Sequence, residues 1–236
     1  MTIKQLWQST PITLLLIVVF VAVMAIQWVL GVNIESPSAL HLVQFGANFY
    51  GLTVLNEPWR LLTSGFVHIG VMHLLANAFS MYFLGQAGEL IVGKWRMLAA
   101  FLFSVAGGNL LTLWTAWQTI ESVPPPVTAG ASGGILGIAL VLFVLAISKA
   151  PTAVMLNFRG LLLIIVLNVV MGFAIDGINN AGHFGGMIVG AILGAVLSFE
   201  LKNKRFVGAF WLISAVLCLI MGLIWWQLHT ALLAIL

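Results

Sequence analysis

Apolar residues run along this chain almost unbroken, and the interruptions divide it. Stretches long enough to cross a bilayer as helix, about 17–25 residues each, cover 12–31, 67–88, 97–117, 132–148, 158–175, 182–199 and 207–228. The pattern predicts an all-α, polytopic transmembrane helical bundle of about seven spans, with no room for a soluble domain, so that 1–236 is a single membrane domain. Within the first apolar run, Val23-Met24-Ala25 would pass as a weak cleavage site. At about 20 residues, however, the run exceeds the roughly 7–15 of a signal peptide and reads as an uncleaved anchor. Residues 32–66, which contain LHLVQFGANFYGL and NEPWRLLTSG, are too apolar for a free exterior loop. Short helices lying in the membrane interface are expected there, with Trp59 at headgroup level.

The fourth span differs from the rest. Pro124-Pro125-Pro126 cannot be helical, and VTAGA follows without a charge. The apolar run that remains has about 16 residues, or roughly 24 Å of helix against a hydrocarbon core of about 30 Å. With one end fixed near Lys149, the other stops below the membrane surface, and Ser132 sits at that recessed end. Irregular backbone at such depth is tolerated where it is buried in protein or lines a water-filled cavity. A wet pocket open to the outside is therefore expected at Ser132.

Composition agrees with the pattern: 62% of residues are hydrophobic and only 6% charged, against about 25% charged in soluble domains. A net charge of +3 built from so few charges gives no basis for nucleic-acid binding. Placement of the charges is more informative. Lys4, Lys94, Arg96, Lys149, Arg159, Lys202, Lys204 and Arg205 fall at the N-terminus and in alternate loops. The intervening loops hold Glu35, Glu57, Glu121 and Asp176, with Arg60 as their one base. The positive-inside rule then puts the N-terminus in the cytoplasm and the C-terminus outside. Absence of organelle-targeting features suggests a bacterial cytoplasmic (inner) membrane. Cys218, the lone cysteine, lies inside the last span, where a buried apolar role is expected.

Few polar side chains remain within the spans: His68, His73, Asn77, Asn109, Ser132, Asn168 and His183. Asn109 and Asn168 read as ordinary bonds across helices; the others are functional candidates by position. His73 and Asn77 are four apart, on one helical face, and His68 precedes them near the outer end. In the sixth stretch Gly182, Gly186, Gly190 and Gly194 recur at four-residue spacing, a ridge that lets another backbone approach closely. Gly133 and Gly137 form a matching pair beside Ser132. Packed glycine to glycine, the two helices bring Ser132 and His183 to similar depth, the geometry of a serine activated by a histidine base. Neither HExxH nor a carboxylate near His73 is present, so neither a metal nor another cofactor is expected.

These residues together resemble the rhomboid intramembrane serine proteases. The matching pieces are Trp59-Arg60, His68 with HLLAN at 73–77, GASG at 130–133 and GHFGGxxxG at 182–190, in the family's order, covering about Trp59 to Gly194. The resemblance implies a six-helix core over about 12–200 and an extra C-terminal helix over about 207–228. It implies a dyad without aspartate, Ser132 as nucleophile and His183 as general base. His73 and Asn77, with the Ser132 backbone N–H, would form the oxyanion hole. Gly130 and Gly133 would let the loop bend around the serine. Gly186 and Gly190 would pack span six on span four, and Trp59 and Arg60 would support the first loop. Asp176 is expected to be a surface residue only. Substrates would be single-span transmembrane proteins, embedded in membrane lipid and entering past a mobile fifth span; oligomeric state stays open. Leu136 stands where many relatives carry an aromatic that stacks on the histidine, and Gly182 where alanine is usual. A catalytically dead rhomboid relative would lack the serine or the histidine. A transporter would place charged or paired polar groups at mid-membrane, and none is found.

Overall fold

The computed structural model describes residues 7–175 and 177–235; Lys4 and Asp176, on which two of the expectations rest, lie outside the described residues. The fold is the all-α membrane bundle that the hydropathy predicts. Helix α1 (Pro11–Val29) is followed by the short helices α2 (Ala39–Gln44), α3 (Tyr50–Leu55) and α4 (Arg60–Thr63). Next come α5 (Val71–Ser80), a π-helical turn (Met81–Gly85) and α6 (Gln86–Val92). The chain continues through α7 (Lys94–Gln118), α8 (Ser132–Ile147), α9 (Phe158–Ala174), α10 (Asn180–Lys202) and α11 (Ala209–Leu233). Among the described residues four helices, α1, α7, α10 and α11, are each long and apolar enough to cross a membrane. A fifth crossing results if Arg60–Phe66 and Val71–Val92, bent by 96° against each other, count as one. α8 and α9 are apolar but shorter, at 16 and 17 residues.

The second predicted stretch began too early. Ser64–Phe66 form a 3₁₀ turn, Val67 is extended and Gly70 has φ +155°, so His68 sits in a bend ahead of α5 and not within a span. Two other expectations are corrected. Asn168 does not bond across helices: its Nδ2 donates to Ile164 O, one turn back on its own helix, at 2.8 Å. Cys218 is exposed. The buried face of α11 runs through Phe210, Ser214 and Leu217, and the next residue points about 100° away from it. Cys218 lines an open apolar groove between α11 and α7, and hydropathy does not distinguish such a place from the packed interior.

α10 is the centre of the bundle, packed between α7 and α8. A Cβ added at Gly186 would fall on the Gly133 backbone, one at Gly190 on Gly137, and one at Gly194 against Val141. On the opposite side Gly185 faces Gly107 and Gly108. Backbones this close gain dispersion along their whole length, the main attraction left to helices in lipid.

The segment between α1 and α5 is built of short helices, as expected, and is bound to the bundle by polar contacts. Arg60 is buried; its Nη1 donates to Val43 O at 2.5 Å and Ala47 O at 2.9 Å, and the guanidinium pairs with Glu57. Asn109 on α7 donates to Leu61 O at 2.9 Å and Ser64 Oγ at 2.7 Å. From α11, Trp225 Nε1 donates to Thr53 O at 2.8 Å, and His229 Nδ1 donates to Val54 O at 2.9 Å.

Two buried carboxylates close helix ends from a distance. Glu89 on α6 accepts from Ile12 N at 3.0 Å and from Thr13 N and Oγ1 at 2.8 Å, satisfying the first turn of α1. Glu200 on α10 accepts from Gly208 N at 2.7 Å and Phe210 N at 2.8 Å at the start of α11, and also from Arg96 at 2.7 Å. Free N–H groups at a helix start carry partial positive charge that a carboxylate complements. Glu89→Ala is expected to cost about 3 kcal/mol, because hydrogen bonds to charged groups are worth about 1.5–3 kcal/mol. Reversible unfolding in mixed micelles reads this, and an unchanged midpoint would show that water serves the α1 donors equally well.

Candidate functional site

Ser132 is the first residue of α8 and is partly exposed. The chain reaches it through the two-residue strand β2 (Val127–Thr128), antiparallel to β1 (Asn48–Phe49), with Asn48 opposite Thr128. Gly130 N donates to Ser64 O at 2.9 Å, so the approach to α8 is held at two points by the α1–α5 segment. Gly130 itself has φ +131°, and a Cβ there would lie 2.5 Å from His73 Cε1. Only glycine lets the backbone lie flat against that imidazole, which places His73 of α5 beside the loop two residues before Ser132.

His183 lies in the first turn of α10, where Asn179 is the N-cap. The Asn179 Oδ1 accepts from Gly182 N at 3.0 Å, and its Nδ2 donates to Thr112 Oγ1 of α7 at 2.8 Å. The cap therefore sets both the start of the helix and its height against α7. His183 Nε2 comes to 2.8 Å from Ser132 Oγ. His183 is buried, and its Nδ1 has no hydrogen-bond partner among the described residues. With the imidazole neutral and protonated at Nδ1, Nε2 can accept the serine proton. Among the described residues no carboxylate meets the ring, and α10 with its close packing orients it.

Around this pair the structure brings together some expected residues and separates others. His73 contacts the Gly130 loop as described, and Ile69 N approaches its Nδ1 at 3.5 Å. Nδ1 so occupied as acceptor favours the tautomer with its proton on Nε2, the nitrogen on the Gly130 side. Asn77, four residues on, is buried and its Nδ2 has no partner among the described residues, which leaves a donor on the same face of α5. His68 lies behind His73, with ring centroids 5.4 Å apart, and packs against Phe20 at 5.2 Å. Its Nδ1 lies 3.2 Å from Phe66 O, and its buried Nε2 has no partner among the described residues. Gly133 faces Gly182 O, with a Cβ–O separation of 3.0 Å, and Gly186 and Gly190 lie farther along the same seam. Trp59 is exposed and Arg60 sits in the first segment, both away from the pair. Leu136 is buried on α8, and no ring contact to His183 occurs among the described residues. Sequence reasoning passed over Asn179 and Thr112. The signal was available: Asn179 stands three residues before Gly182 at the start of an apolar run, the spacing of an N-cap.

A family model described as the Rhomboid domain matches residues 55–200. The chain is 32% identical over 206 residues to Rhomboid protease GluP of Bacillus subtilis (strain 168), covering 86% of this chain and 38% of that protein. To Rhomboid protease AarA of Providencia stuartii it is 30% identical over 205 residues, covering 78% and 72% of the two chains. To RHOMBOID-like protein 5 of Arabidopsis thaliana it is 34% identical over 167 residues, covering 68% and 51%. The chain thus spans well under half the length of the Bacillus relative and about half that of the plant one.

Proposed function

The chain belongs to the rhomboid family, and from that membership we propose that it is an intramembrane serine endopeptidase cleaving transmembrane proteins near the outer membrane face. The observation that carries this reading is the 2.8 Å approach of His183 Nε2 to Ser132 Oγ across the α8–α10 seam. Ser132 Oγ attacks a peptide carbonyl carbon while its proton passes to His183 Nε2. The resulting imidazolium gives that proton to the leaving amine as the C–N bond breaks, which leaves an acyl-enzyme on Ser132. Water, activated by the same histidine, then cleaves the ester and regenerates the serine. The oxyanion formed at each stage takes hydrogen bonds from the Ser132 N–H, His73 Nε2–H and Asn77 Nδ2. Each side-chain donor is worth about 10²–10³ in kcat, so His73→Ala and Asn77→Ala are each expected to lose that much with KM little changed.

Gly130, Gly133, Gly186 and Gly190 hold the pair by close approach; Trp59 and Arg60 support the first segment. The catalytic core is about 12–200, with the C-terminal helix an addition. Substrates are single-span proteins that offer an unwound, extended backbone. Bacterial relatives and the placement of cations support a bacterial cytoplasmic membrane, N-terminus inside and C-terminus outside.

The test is covalent. A fluorophosphonate probe added to purified protein in neutral detergent is expected to modify Ser132 alone, identified by peptide mass spectrometry, and to leave His183→Ala unmodified. Label on another serine, or undiminished labelling of His183→Ala, would overturn the assignment.

A further inference from the structure

A cavity of about 680 Å³ opens on the far side of α7 from the Ser132–His183 pair, between α7, α11 and the α4 turn. Its walls are bulky and apolar: Trp95, Leu102 and Phe103 from α7, Trp211 and Trp225 from α11, and Leu62 from α4. Gly222 also lines it, and a Cβ added there meets nothing within 4 Å. A helix-interior glycine weakens its helix. The glycines within α7, α8 and α10 are each met by a neighbouring backbone or side chain, but nothing among the described residues meets this one. Its effect is to keep the groove open.

The ends of the groove differ. Trp225 lies toward the end where α11 meets α3. At the other end Trp95 and Trp211 stand at the starts of α7 and α11, and Lys94 Nζ lies 5.5 Å over the Trp95 ring. Arg96 and the start of α11 are joined there through Glu200, which brings the Lys204–Phe206 turn to the same end of the bundle. Ion pairs among the described residues join only Arg60 to Glu57 and Arg96 to Glu200. Lys94, Lys204 and Arg205 remain without an acidic partner.

We propose that this groove is a binding site for one anionic glycerophospholipid, with an acyl chain along Gly222 and the phosphate at Lys94, Lys204 and Arg205. Basic sites between helices at one membrane face select anionic headgroups. A partner helix fits the groove less well, because helices associate in lipid through small residues that let backbones approach, whereas these walls are tryptophan, phenylalanine and leucine around a hollow. The site is separate from the proposed chemistry and does not depend on it.

Native mass spectrometry of the full chain in neutral detergent, with dioleoyl phosphatidylglycerol and dioleoyl phosphatidylcholine at equal mole fraction, counts retained lipid. One phosphatidylglycerol is expected to be retained at least fivefold over phosphatidylcholine. Lys94→Glu is expected to reduce that ratio about fivefold, in line with the worth of one cation near a membrane surface. Gly222→Leu is expected to abolish the preferred binding while fluorophosphonate labelling of Ser132 is kept. Equal retention of the two lipids, or binding unaffected by Gly222→Leu, overturns the proposal. So does a stoichiometric dimer that excludes lipid from this face.

Discussion

Ser132→Ala and His183→Ala are each expected to cleave a single-span test substrate roughly 10⁴–10⁶-fold more slowly than the parent protein, with the double variant no slower than either single one. Non-additivity is the discriminating part. A serine and a base that act in one step through a single 2.8 Å contact leave nothing further to lose once either is gone. Two residues that merely shape a binding surface would add their losses. Both variants should unfold at the parent's midpoint. Alanine at 132 removes one partly exposed hydroxyl, and His183 is oriented by helix packing and the Asn179 cap. Single-turnover cleavage in liposomes, with binding measured separately, reads the outcome. Undiminished cutting by Ser132→Ala would exclude it as nucleophile, and full additivity would exclude the shared step.

The second large effect belongs to the seam. Gly190→Leu is expected to destabilise the fold by about 3 kcal/mol, the upper end for overpacking, and to reduce cleavage at least 10²-fold. A side chain at 190 lands on the backbone of Gly137, which cannot rotate away, so α8 and α10 must separate or slide. The dyad is carried one residue on each of those two helices, and a 1 Å misplacement of reacting groups costs about 10²-fold. Leucine at Gly222 provides the contrast. That Cβ meets open space, so the unfolding midpoint should hold or rise, because the glycine is replaced by a better helix former. A Gly190→Leu protein that unfolds like the parent would show that the seam tolerates widening.

What the sequence revealed about this site came from spacing. Glycines every four residues and a short fourth span are periodic features, and from them the α8–α10 contact and the pairing of Ser132 with His183 can be anticipated. Features set by contacts distant in sequence were not legible. Glu89 and Glu200 attracted no notice because carboxylates carry little weight in topology rules, and nothing local links residue 89 to residue 12. His68 was placed in a span because hydropathy does not register the bend before Gly70. Cys218 was expected inside the protein because apolar sequence faces lipid and protein alike. Asn179 could have been found from its capping position, but the glycine motif beside it drew the reading.

The borrowed caps of α1 and α11 also dictate an order of construction. As α1 leaves the ribosome, the carboxylate that caps its opening turn lies 77 residues beyond Ile12 and is not yet synthesised. Until Glu89 arrives, α1 is held in the bilayer by hydrophobicity alone, free to rotate and tilt. The arrival of α6 fixes it at one end. α11 meets the opposite situation, since Glu200 is already in place when it emerges. During biogenesis α1 therefore stays loose until α6 docks, whereas α11 is pinned on arrival, and ending the chain before residue 89 should leave α1 inserted but undocked, open to the membrane's quality-control proteases.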